Sequence, residues 1–538
     1  MDYYLSARPF FAVMASVSKS PDSQSANQAP KREPRPEHPF AHRLRQFHRR
    51  HGRFVSDADL SGLAMQLGAP LSQLRSVAGF FEEFRDIPQP AGSRFCGDLT
   101  CVIARGVAAT EVVSVGACLG RCDQAPSWTD RFGELHLGIG DDERRIRNLS
   151  PEASLTRPLL ERDTGSLLAS FRREKDPTAA VWSRLGNVQG LERHRKKGER
   201  SLVERWRDAA QTEASQRFVV CHADAGNPGT VGNAWLLKHR PQVVIDGMAL
   251  AGLAVGATEG VICVHHDLPE VFTAVDHAIQ AAMESGRLAE GLFEVTVVAT
   301  FGSHVGGEET ALLNAIEGAR GEARVRPPEP EIAGLFGLPT VIETAEVFAL
   351  LPIWLERQRD LGARLITVTP PFSRPGLVEV DASVSLRGVL REAGGDPGDG
   401  GKSAFDALLL GGPFGSVAFP ENWDLRLDAD VLRSNELTPG HWGITPLPVG
   451  SDLRALMMSW LDFAARETCG KCTPCRLGPL AAIEMLREPS PVKRARFVEI
   501  LDTISSTSLC GFGRDFPRPL QQLIDRFGVD RISASAEP

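Results

Sequence analysis

The chain has only two tyrosines, at positions 3 and 4, and it has no apolar run of the length that crosses a bilayer. Its longest apolar stretch, residues 243–257, contains Asp246 and three glycines, whereas a membrane helix needs about 20 apolar residues. A basic surplus is also absent, since the formal net charge is -8, so we expect no binding of nucleic acid through a basic surface. The first residues lack the basic segment of a secretory signal. We therefore expect a cytoplasmic protein without a membrane span.

The 538 residues are enough for about three to five domains. From Arg217 onward, runs typical of strands alternate with helical periodicity, which predicts a doubly wound α/β domain. After Leu268, Val271, Val275, Ile279 and Met283 recur every four residues, as on a helix that packs on a sheet. The predicted segments are a disordered tail 1–38, helices in 39–88, two strand-loop units in 89–145, a linker 146–208, the α/β domain 209–350, a small α+β module 360–420 and helices in 450–538.

The strongest motif lies in the last of these segments. Cys469, Cys472 and Cys475 are each separated by two residues, and Cys510 follows at a distance. This pattern is typical of a 4Fe-4S cluster, in which three closely spaced thiolates hold three corners and a distant one holds the fourth. A structural zinc ion is the alternative, although zinc usually takes two separated C-x2-C pairs.

A second set of four cysteines lies near the amino terminus, as the pairs Cys96-x4-Cys101 and Cys118-x3-Cys122. Two pairs on two loops suit a 2Fe-2S cluster, because each pair can hold one iron, and zinc is again the alternative. The remaining cysteines, Cys221 and Cys263, fall within predicted strands. We expect both to be core residues.

Two glycine-containing loops follow strands of the α/β domain, at residues 222–230 and 302–310. Such loops allow backbone amides to approach a nucleotide, and the helix start after them favours a phosphate. Loops of this kind are also common as simple turns, and the chain has no G-x-G-x-x-G sequence.

Taken together, these motifs resemble a fusion of two neighbouring subunits of respiratory complex I. One is the thioredoxin-like 2Fe-2S subunit, and the other is the NADH-binding flavoprotein subunit that holds FMN and a 4Fe-4S cluster. The diaphorase (beta) subunits of NAD-dependent formate dehydrogenases and NAD-reducing hydrogenases are similar. The resemblance covers roughly residues 40–530 and is carried by LRSVAGFFEEF (74–84), the two cysteine pairs, VCHADAGNPGT, GGEETALLNAIEG, RPPEPEIAGLFGLPT, ETCGKCTPCR and LCGFG.

The resemblance implies the fold class: an α/β multidomain protein with a thioredoxin-like ferredoxin domain, a Rossmann-like α/β flavoprotein domain, a small β-grasp-like domain and a C-terminal helical bundle. It implies that NAD(H), FMN and iron-sulfur clusters exchange electrons within a larger complex, whose catalytic subunit resembles a formate dehydrogenase or a hydrogenase. No single catalytic side chain is implied. The implied ligands are Cys96, Cys101, Cys118 and Cys122 for 2Fe-2S, Cys469, Cys472, Cys475 and Cys510 for 4Fe-4S, and Asp224, Gly226, Gly306, Gly307, Glu308 and Glu309 for flavin and nucleotide.

The chain also departs from the family's pattern near the flavin. Residues 160–195 contain no G-R-G-G-A-G-F-P loop, and Glu343 stands at the start of the family's Asn-Asn-Val-Glu-Thr sequence, on the side of the flavin phosphate. A carboxylate and a phosphate at one point repel each other unless Glu343 turns away or is protonated. Two alternatives therefore stand beside the diaphorase: an iron-sulfur relay or docking subunit without flavin, and a zinc-binding assembly scaffold.

Overall fold

The computed structural model describes the larger part of the chain from residue 56 onward. The described residues are 56–80, 165–186, 200–223, 229–265, 268–289, 291–300, 304–358, 362–381, 383–395, 403–487 and 490–528, with Leu44, Phe47 and short strands at 94–96, 114–116, 127–129, 135–137 and 147–148. The predicted disordered tail 1–38 lies outside them.

The front of the described chain has two helices and a small sheet. The helices are Asp57–Leu67, which begins with a capping box of Ser56 and Asp59, and Leu71–Phe80. The strands are β1 (Arg94–Cys96), β2 (Ser114–Gly116), β3 (Ser127–Thr129) and β4 (Leu135–Leu137), in the sheet order β2-β1-β3-β4. Strands β1 and β2 are parallel and the other neighbours are antiparallel. Strand β5 (Arg147–Asn148) joins a different sheet.

The α/β unit contains four parallel strands: β6 (Phe218–Ala223), β7 (Glu259–His265), β8 (Glu294–Thr300) and β9 (Thr340–Thr344). Their order is β8-β7-β6-β9, so the chain builds outward from β6 on one side and then crosses to place β9 on the other. The connections therefore diverge between β6 and β9. Crevices at the carboxyl ends of such neighbouring strands are the usual ligand sites of open parallel sheets.

Helices cover both faces of this sheet. Their bounds are Gly232–His239, Pro241–Val255, Pro269–Glu284, Glu309–Ile316, Pro330–Ala333 and Ala345–Arg357. Cys221 and Cys263 are fully buried in β6 and β7, which confirms that they are core residues. On the helix Pro269–Glu284 the predicted apolar stripe is buried except at its end, where Met283 is 49% exposed. The stripe prediction was wrong there because a spacing of four residues drifts around a helix of 3.6 residues per turn, so in the last turn Ala282, which is fully buried, takes the inner position and Met283 turns outward.

The predicted linker 146–208 is wrong for most of its described residues. It contains the helices Gly165–Arg172 and Pro177–Leu185 and most of the helix Leu202–Gln211. Phe171, Val181 and Trp206 are at most 1% exposed and belong to the same hydrophobic core as the sheet. The segment is rich in charge, yet its apolar residues recur at helical spacing, and this narrow stripe is enough to anchor each helix to the core.

The second sheet contains β10 (Arg364–Val368), β11 (Gly376–Val380), β12 (Phe405–Leu410), β13 (Ser416–Ala418) and β14 (Gly443–Pro448), with β5 at its edge. The order is β13-β12-β14-β10-β11-β5, and the central pair β10 and β14 is parallel. The helices Leu386–Ala393 and Ala429–Ser434 accompany it. The predicted end of this domain, residue 420, is too early. The central strand β14 comes last in sequence, after the helix Ala429–Ser434, and only then is the sheet complete.

The carboxyl-terminal part is helical, as predicted, with helices Leu453–Glu467, Thr473–Arg487, Pro491–Thr507, Gly511–Asp515 and Pro517–Phe527. The six apolar residues predicted on one face of the first helix are all buried: Leu453, Leu456, Met457, Trp460, Leu461 and Ala464. None of the helices that the structure describes combines the length and the apolarity that a membrane crossing requires.

A first prediction concerns Gly247, in the middle of the helix Pro241–Val255. A Cβ atom at this position would overlap the carbonyl oxygen of Phe348 on the helix Ala345–Arg357, so the two helices must separate in Gly247→Ala. We expect a loss of about 3 kcal/mol or more of unfolding free energy, measured as a lower midpoint of thermal unfolding. In the control Gly62→Ala, the added methyl group meets nothing within 4 Å, and helix stability should hold or rise slightly. Equal midpoints for both variants would contradict the close helix contact.

Candidate functional site

The four cysteines of the carboxyl-terminal motif come from two segments that meet. Cys469 and Cys472 lie on the turn after the helix Leu453–Glu467, Cys475 lies in the first turn of Thr473–Arg487, and Cys510 caps the helix Gly511–Asp515. The backbone N–H of Leu509 donates to the Sγ atom of Cys472 at 3.4 Å, which joins the two segments. Cys469 and Cys475 are buried, whereas Cys472 and Cys510 are partly exposed.

The thiol pKa values reflect this convergence. Burial raises the pKa of Cys475 to about 12, a hydrogen bond with the Thr468 hydroxyl at 3.2 Å opposes the rise, and the other three cysteines add to it. Burial likewise raises the pKa of Cys510 to about 11, with further contributions from Glu308 and Cys469. The thiols of Cys475 and Cys510 are therefore protonated at neutral pH, and metal binding would release these two protons.

The other three cysteines all contribute to the pKa of Cys475, which indicates that the four thiols lie near one another. Among the residues that the structure describes, no three His, Cys, Asp or Glu side chains are grouped closely enough to hold a single metal ion.

The cysteine turn is held by the α/β unit. Arg320, just after the helix Glu309–Ile316, donates to the carbonyl oxygen of Cys469 from Nε at 3.2 Å and from Nη2 at 2.7 Å. The Nζ atom of Lys471 donates to the carbonyl oxygen of Ala323 at 2.7 Å. These contacts fix the turn against the same segment that carries the glycine-glutamate sequence.

The structure describes some of the predicted flavin, nucleotide and 2Fe-2S residues but not others. Asp224 and Gly226 lie outside the described residues, as do Cys101, Cys118 and Cys122, while Cys96 is the last residue of β1 and only its backbone is described. Gly306 and Gly307 form a 3-10 turn, His304–Gly307, beyond the carboxyl end of β8. Glu308 and Glu309 follow directly and begin the helix Glu309–Ile316.

Both glutamates already have partners inside the chain. The carboxylate of Glu308 caps its helix by accepting the N–H of Ala311 at 2.8 Å, and it also accepts from Nη2 of Arg326 at 2.8 Å. The same Nη2 atom donates to Glu309 at 3.0 Å. The helix start that would attract an anion is therefore occupied by a carboxylate of the chain itself.

The glycine turn also contacts the cysteine site. The ring of His304 stacks on Phe414 at a centroid distance of 4.4 Å and lies 6.0 Å from the ring of Phe512, two residues after Cys510. The backbone N–H of His304 donates to Glu467 at 2.7 Å, at the end of the helix that precedes Cys469. The carboxyl end of the parallel sheet and the four cysteines thus form one continuous site.

A network of arginines and carboxylates lies at this edge of the sheet, and most of it was not anticipated from the sequence. Arg205 reaches Glu343 at 2.7 Å, Glu331 at 3.5 Å and Glu309 at 3.8 Å. Arg200 pairs with Asp208 and with Glu331, and Arg326 pairs with Glu308, Glu309 and Glu329. Shared carboxylates join all three arginines into one network, in which three guanidinium groups face six carboxylates. With all groups ionised its net charge is -3.

Among the partners of Arg205, Glu343 is the one that lies on the sheet. It is the next-to-last residue of β9, 9% exposed, and its Oε1 atom accepts from Arg205 and, at 3.1 Å, from Nε1 of Trp206. Burial raises the pKa of Glu343 to about 6; Arg205 and Trp206 lower it, while Glu309 and Glu331 raise it. The carboxylate is thus turned toward Arg205 and Trp206.

A second prediction concerns Arg205→Gln. The variant leaves Glu343 buried without its cation and Glu331 paired with Arg200 alone, which costs about 3–5 kcal/mol of unfolding free energy. Burial already raises the pKa of both carboxyl groups, and loss of Arg205 raises both further. A group whose pKa is higher in the folded chain loses its stabilising contribution as pH rises through that value, so the deficit in unfolding midpoint should be larger at pH 8 than at pH 5.

The matched control is Arg75→Gln, which removes an exposed ion pair with Asp57 at 3.1 Å. Exposed pairs contribute about 1 kcal/mol or less, so its midpoint should stay close to that of the unchanged chain at both pH values. A pH-independent deficit in Arg205→Gln would contradict the assignment of buried carboxylates as its cause.

Comparisons with known proteins agree with this geometry. Residues 201–349 match the family model described as the Nuo51 FMN-binding domain. Residues 455–532 match the model described as the NADH-ubiquinone oxidoreductase-F iron-sulfur binding region. The first segment contains the parallel sheet and most of the ion network, and the second contains the four cysteines.

Similar proteins of known identity include subunits of several complexes. The NADP-reducing hydrogenase subunit HndC of Solidesulfovibrio fructosivorans is 31% identical over 344 residues, which are 60% of this chain and 70% of HndC. The mitochondrial NADH-ubiquinone oxidoreductase 51 kDa subunit of Aspergillus niger is 29% identical over 58% of this chain and 67% of its own. The NAD-reducing hydrogenase HoxS subunit alpha of Cupriavidus necator is 28% identical over 60% of this chain and 55% of its own.

A solved structure extends the likeness in fold. The NAD+-reducing [NiFe]-hydrogenase in its H2-reduced state contains a chain that matches with a TM-score of 0.75, covers 93% of both chains and is 21% identical. At this identity the match concerns the fold alone, and its coverage reaches beyond the two family segments. On the matched segments and the identity to HndC, the chain belongs to the complex I 51 kDa (NuoF) family of oxidoreductase subunits.

Proposed function

We propose that the chain is a diaphorase-type electron-transfer subunit, in which NAD(H), FMN and iron-sulfur clusters exchange electrons. The observation that carries this proposal is the contact between the glycine turn and the cysteine site through His304, Phe512 and Glu467. Electron transfer requires its two centres to be close and rigidly held, and these contacts join the two segments directly. When bound, a flavin accepts two electrons from a reduced nicotinamide and releases them singly to a cluster.

The proposed 4Fe-4S ligands are Cys469, Cys472, Cys475 and Cys510. Four thiols on two adjoining segments are a suitable donor set for such a cluster. Arg320 and the Thr468 hydroxyl hold the backbone and one thiol of this set in place. The partly exposed Cys472 and Cys510 mark the side from which electrons can leave.

For the front of the chain we propose a thioredoxin-like 2Fe-2S domain with Cys96, Cys101, Cys118 and Cys122 as ligands. The sheet order β2-β1-β3-β4 with a parallel first pair supports this proposal, since thioredoxin-like sheets have it. Cys96 pairs in register with Gly116, two residues before Cys118, so the two cysteine pairs follow neighbouring ends of parallel strands.

For the second sheet we propose a β-grasp-like domain. Its support is a parallel central pair, β10 and β14, each flanked by an antiparallel partner, with one helix between β11 and β12. We also propose that this subunit has a catalytic partner of the hydrogenase or formate dehydrogenase kind. The relatives, which belong to hydrogenases and an NADH-ubiquinone oxidoreductase, support a hydrogenase-like partner, whereas a formate dehydrogenase-like partner rests on the sequence resemblance alone.

One observation favours the second candidate, a flavin-less iron-sulfur relay. The net charge of -3 in the network at the carboxyl edge of the sheet opposes the phosphate of FMN.

The test is the content of flavin, iron and zinc in the full chain, purified without oxygen. A diaphorase should yield about one FMN and about six irons, with bleaching by NADH. Iron without flavin, and no recovery on adding FMN, would establish the relay, whereas a colourless chain with stoichiometric zinc would establish the scaffold.

A third prediction concerns the assignment of ligands. Cys472→Ser should remove the electron paramagnetic resonance signal of the reduced four-iron cluster and leave that of the two-iron cluster. The matched control is Cys263→Ala, a fully buried cysteine of the parallel sheet, which should retain both signals. If the four-iron signal persisted unchanged in Cys472→Ser, the ligand set would be wrong.

A further inference from the structure

The ion network occupies the crevice where this fold binds phosphate-bearing ligands. In open parallel sheets that crevice lies at the carboxyl ends of the strands between which the connections diverge. Here the strands are β6 and β9, and Glu343 pairs in register with Cys221 across them. The next residue, Thr344, caps the helix Ala345–Arg357, whose amino terminus carries the partial positive charge that attracts a phosphate.

The carboxylate of Glu343, the residue before this cap, is already bonded within the chain. Glu343 accepts a hydrogen bond from Arg205 at 2.7 Å, and Arg205 also forms ion pairs with Glu331 and Glu309. A phosphate arriving here meets a cation that is shared by three carboxylates. Adding a second anion beside the ionised Glu343 in a buried place is unfavourable unless one of the two loses its charge.

We propose that the phosphate of FMN competes with the Glu343 carboxylate for Arg205, so that FMN binding is coupled to uptake of one proton by Glu343. The proton comes from solvent and forms an O–H bond on the Glu343 side chain; no other bond changes. A flavin without the phosphate would bind with no such proton uptake. This inference rests on the proposed function, because it requires the chain to bind flavin.

The surroundings single out Glu343 as the group that takes the proton. From the packed helices it is faced by Arg205, Trp206, Glu309 and Glu331, and its pKa of about 6 lies close to neutrality. Across the strand, Cys221 is a neutral thiol because burial raises its pKa.

The other carboxylates nearby are committed to other partners. Glu346 accepts the N–H of Leu365 at 3.1 Å, Glu331 is also bound by Arg200 at 2.9 Å, and Glu308 and Glu309 share Arg326. Among these carboxylates, Glu343 is therefore the one that we expect to take up the proton when the phosphate binds.

The test is calorimetric titration of the full, metal-loaded chain with FMN and with riboflavin, which lacks the phosphate. Binding enthalpies in two buffers of different ionisation enthalpy give the number of protons taken up. At pH 7.5 we expect about one proton per FMN and none per riboflavin. Near pH 5 the uptake with FMN should fall toward zero, because Glu343 is then protonated beforehand.

The variant Glu343→Gln shows whether the proton is taken up by the Glu343 side chain or by the phosphate of FMN. The distinction is needed because a phosphate monoester itself titrates with a pKa of about 6. At pH 7.5 it should bind FMN at least tenfold more tightly than the unchanged chain and take up no proton at position 343. Riboflavin affinity should change less than twofold. The matched control is Glu317→Gln, a buried carboxylate paired with Arg324 at 2.8 Å outside the network, which should behave like the unchanged chain.

Each outcome decides one question. If the unchanged chain binds FMN and riboflavin without proton uptake, and Glu343→Gln gains no affinity for FMN, the competition is overturned while flavin binding stands. If neither flavin binds to the unchanged chain or to either variant, the proposed flavoprotein function fails and the inference falls with it. The proton count on the unchanged chain remains decisive even if Glu343→Gln does not fold.

Discussion

Arg205 joins three carboxylates that come from three different elements of the α/β unit. Glu309 begins a helix after β8, Glu331 lies in the short helix Pro330–Ala333, and Glu343 is the next-to-last residue of β9. Glu331 and Glu343 are buried, and buried carboxylates are tolerated only with a cation and hydrogen bonds. The arginine stands on the helix Leu202–Gln211, whose Trp206 is fully buried in the core. The helix that precedes β6 is thereby held at the carboxyl edge of the parallel sheet.

The same edge is where the separate parts of the chain meet. The glycine turn rests on Phe414 of the second sheet's connection and on the helix that ends at Glu467. Arg320 and Lys471 link the cysteine turn to the segment that follows Glu308 and Glu309. A cluster held by the four cysteines would lie between the carboxyl edge of the parallel sheet and the partly exposed surface at Cys472 and Cys510. An electron relay needs this arrangement, because each centre must lie near the next one.

Local patterns predicted much of the fold. The runs that form strands β6, β7 and β8 show a strand pattern in the sequence, and the helix Leu453–Glu467 shows its buried face in its spacing. The errors arose where local pattern and tertiary packing disagree. The helix Leu202–Gln211 reads as charged because only a narrow stripe of it is apolar, and that stripe is the part that enters the core. The second sheet closes with a strand that comes after a long excursion, which periodicity cannot foresee.

The sequence by itself determined the chemistry of the site: the cysteine spacing around Cys469 and Cys475, the glutamates after Gly307, and the presence of a carboxylate at position 343. These features are local, since they depend on residues close together in the chain. Only the tertiary structure decided which charges meet. Arg205 and Glu343 are separated by 138 positions, and their pairing follows from where a helix and a strand end are brought together. Because the strength of buried ion pairs depends on that placement, the charge balance of the crevice could be established only from the fold.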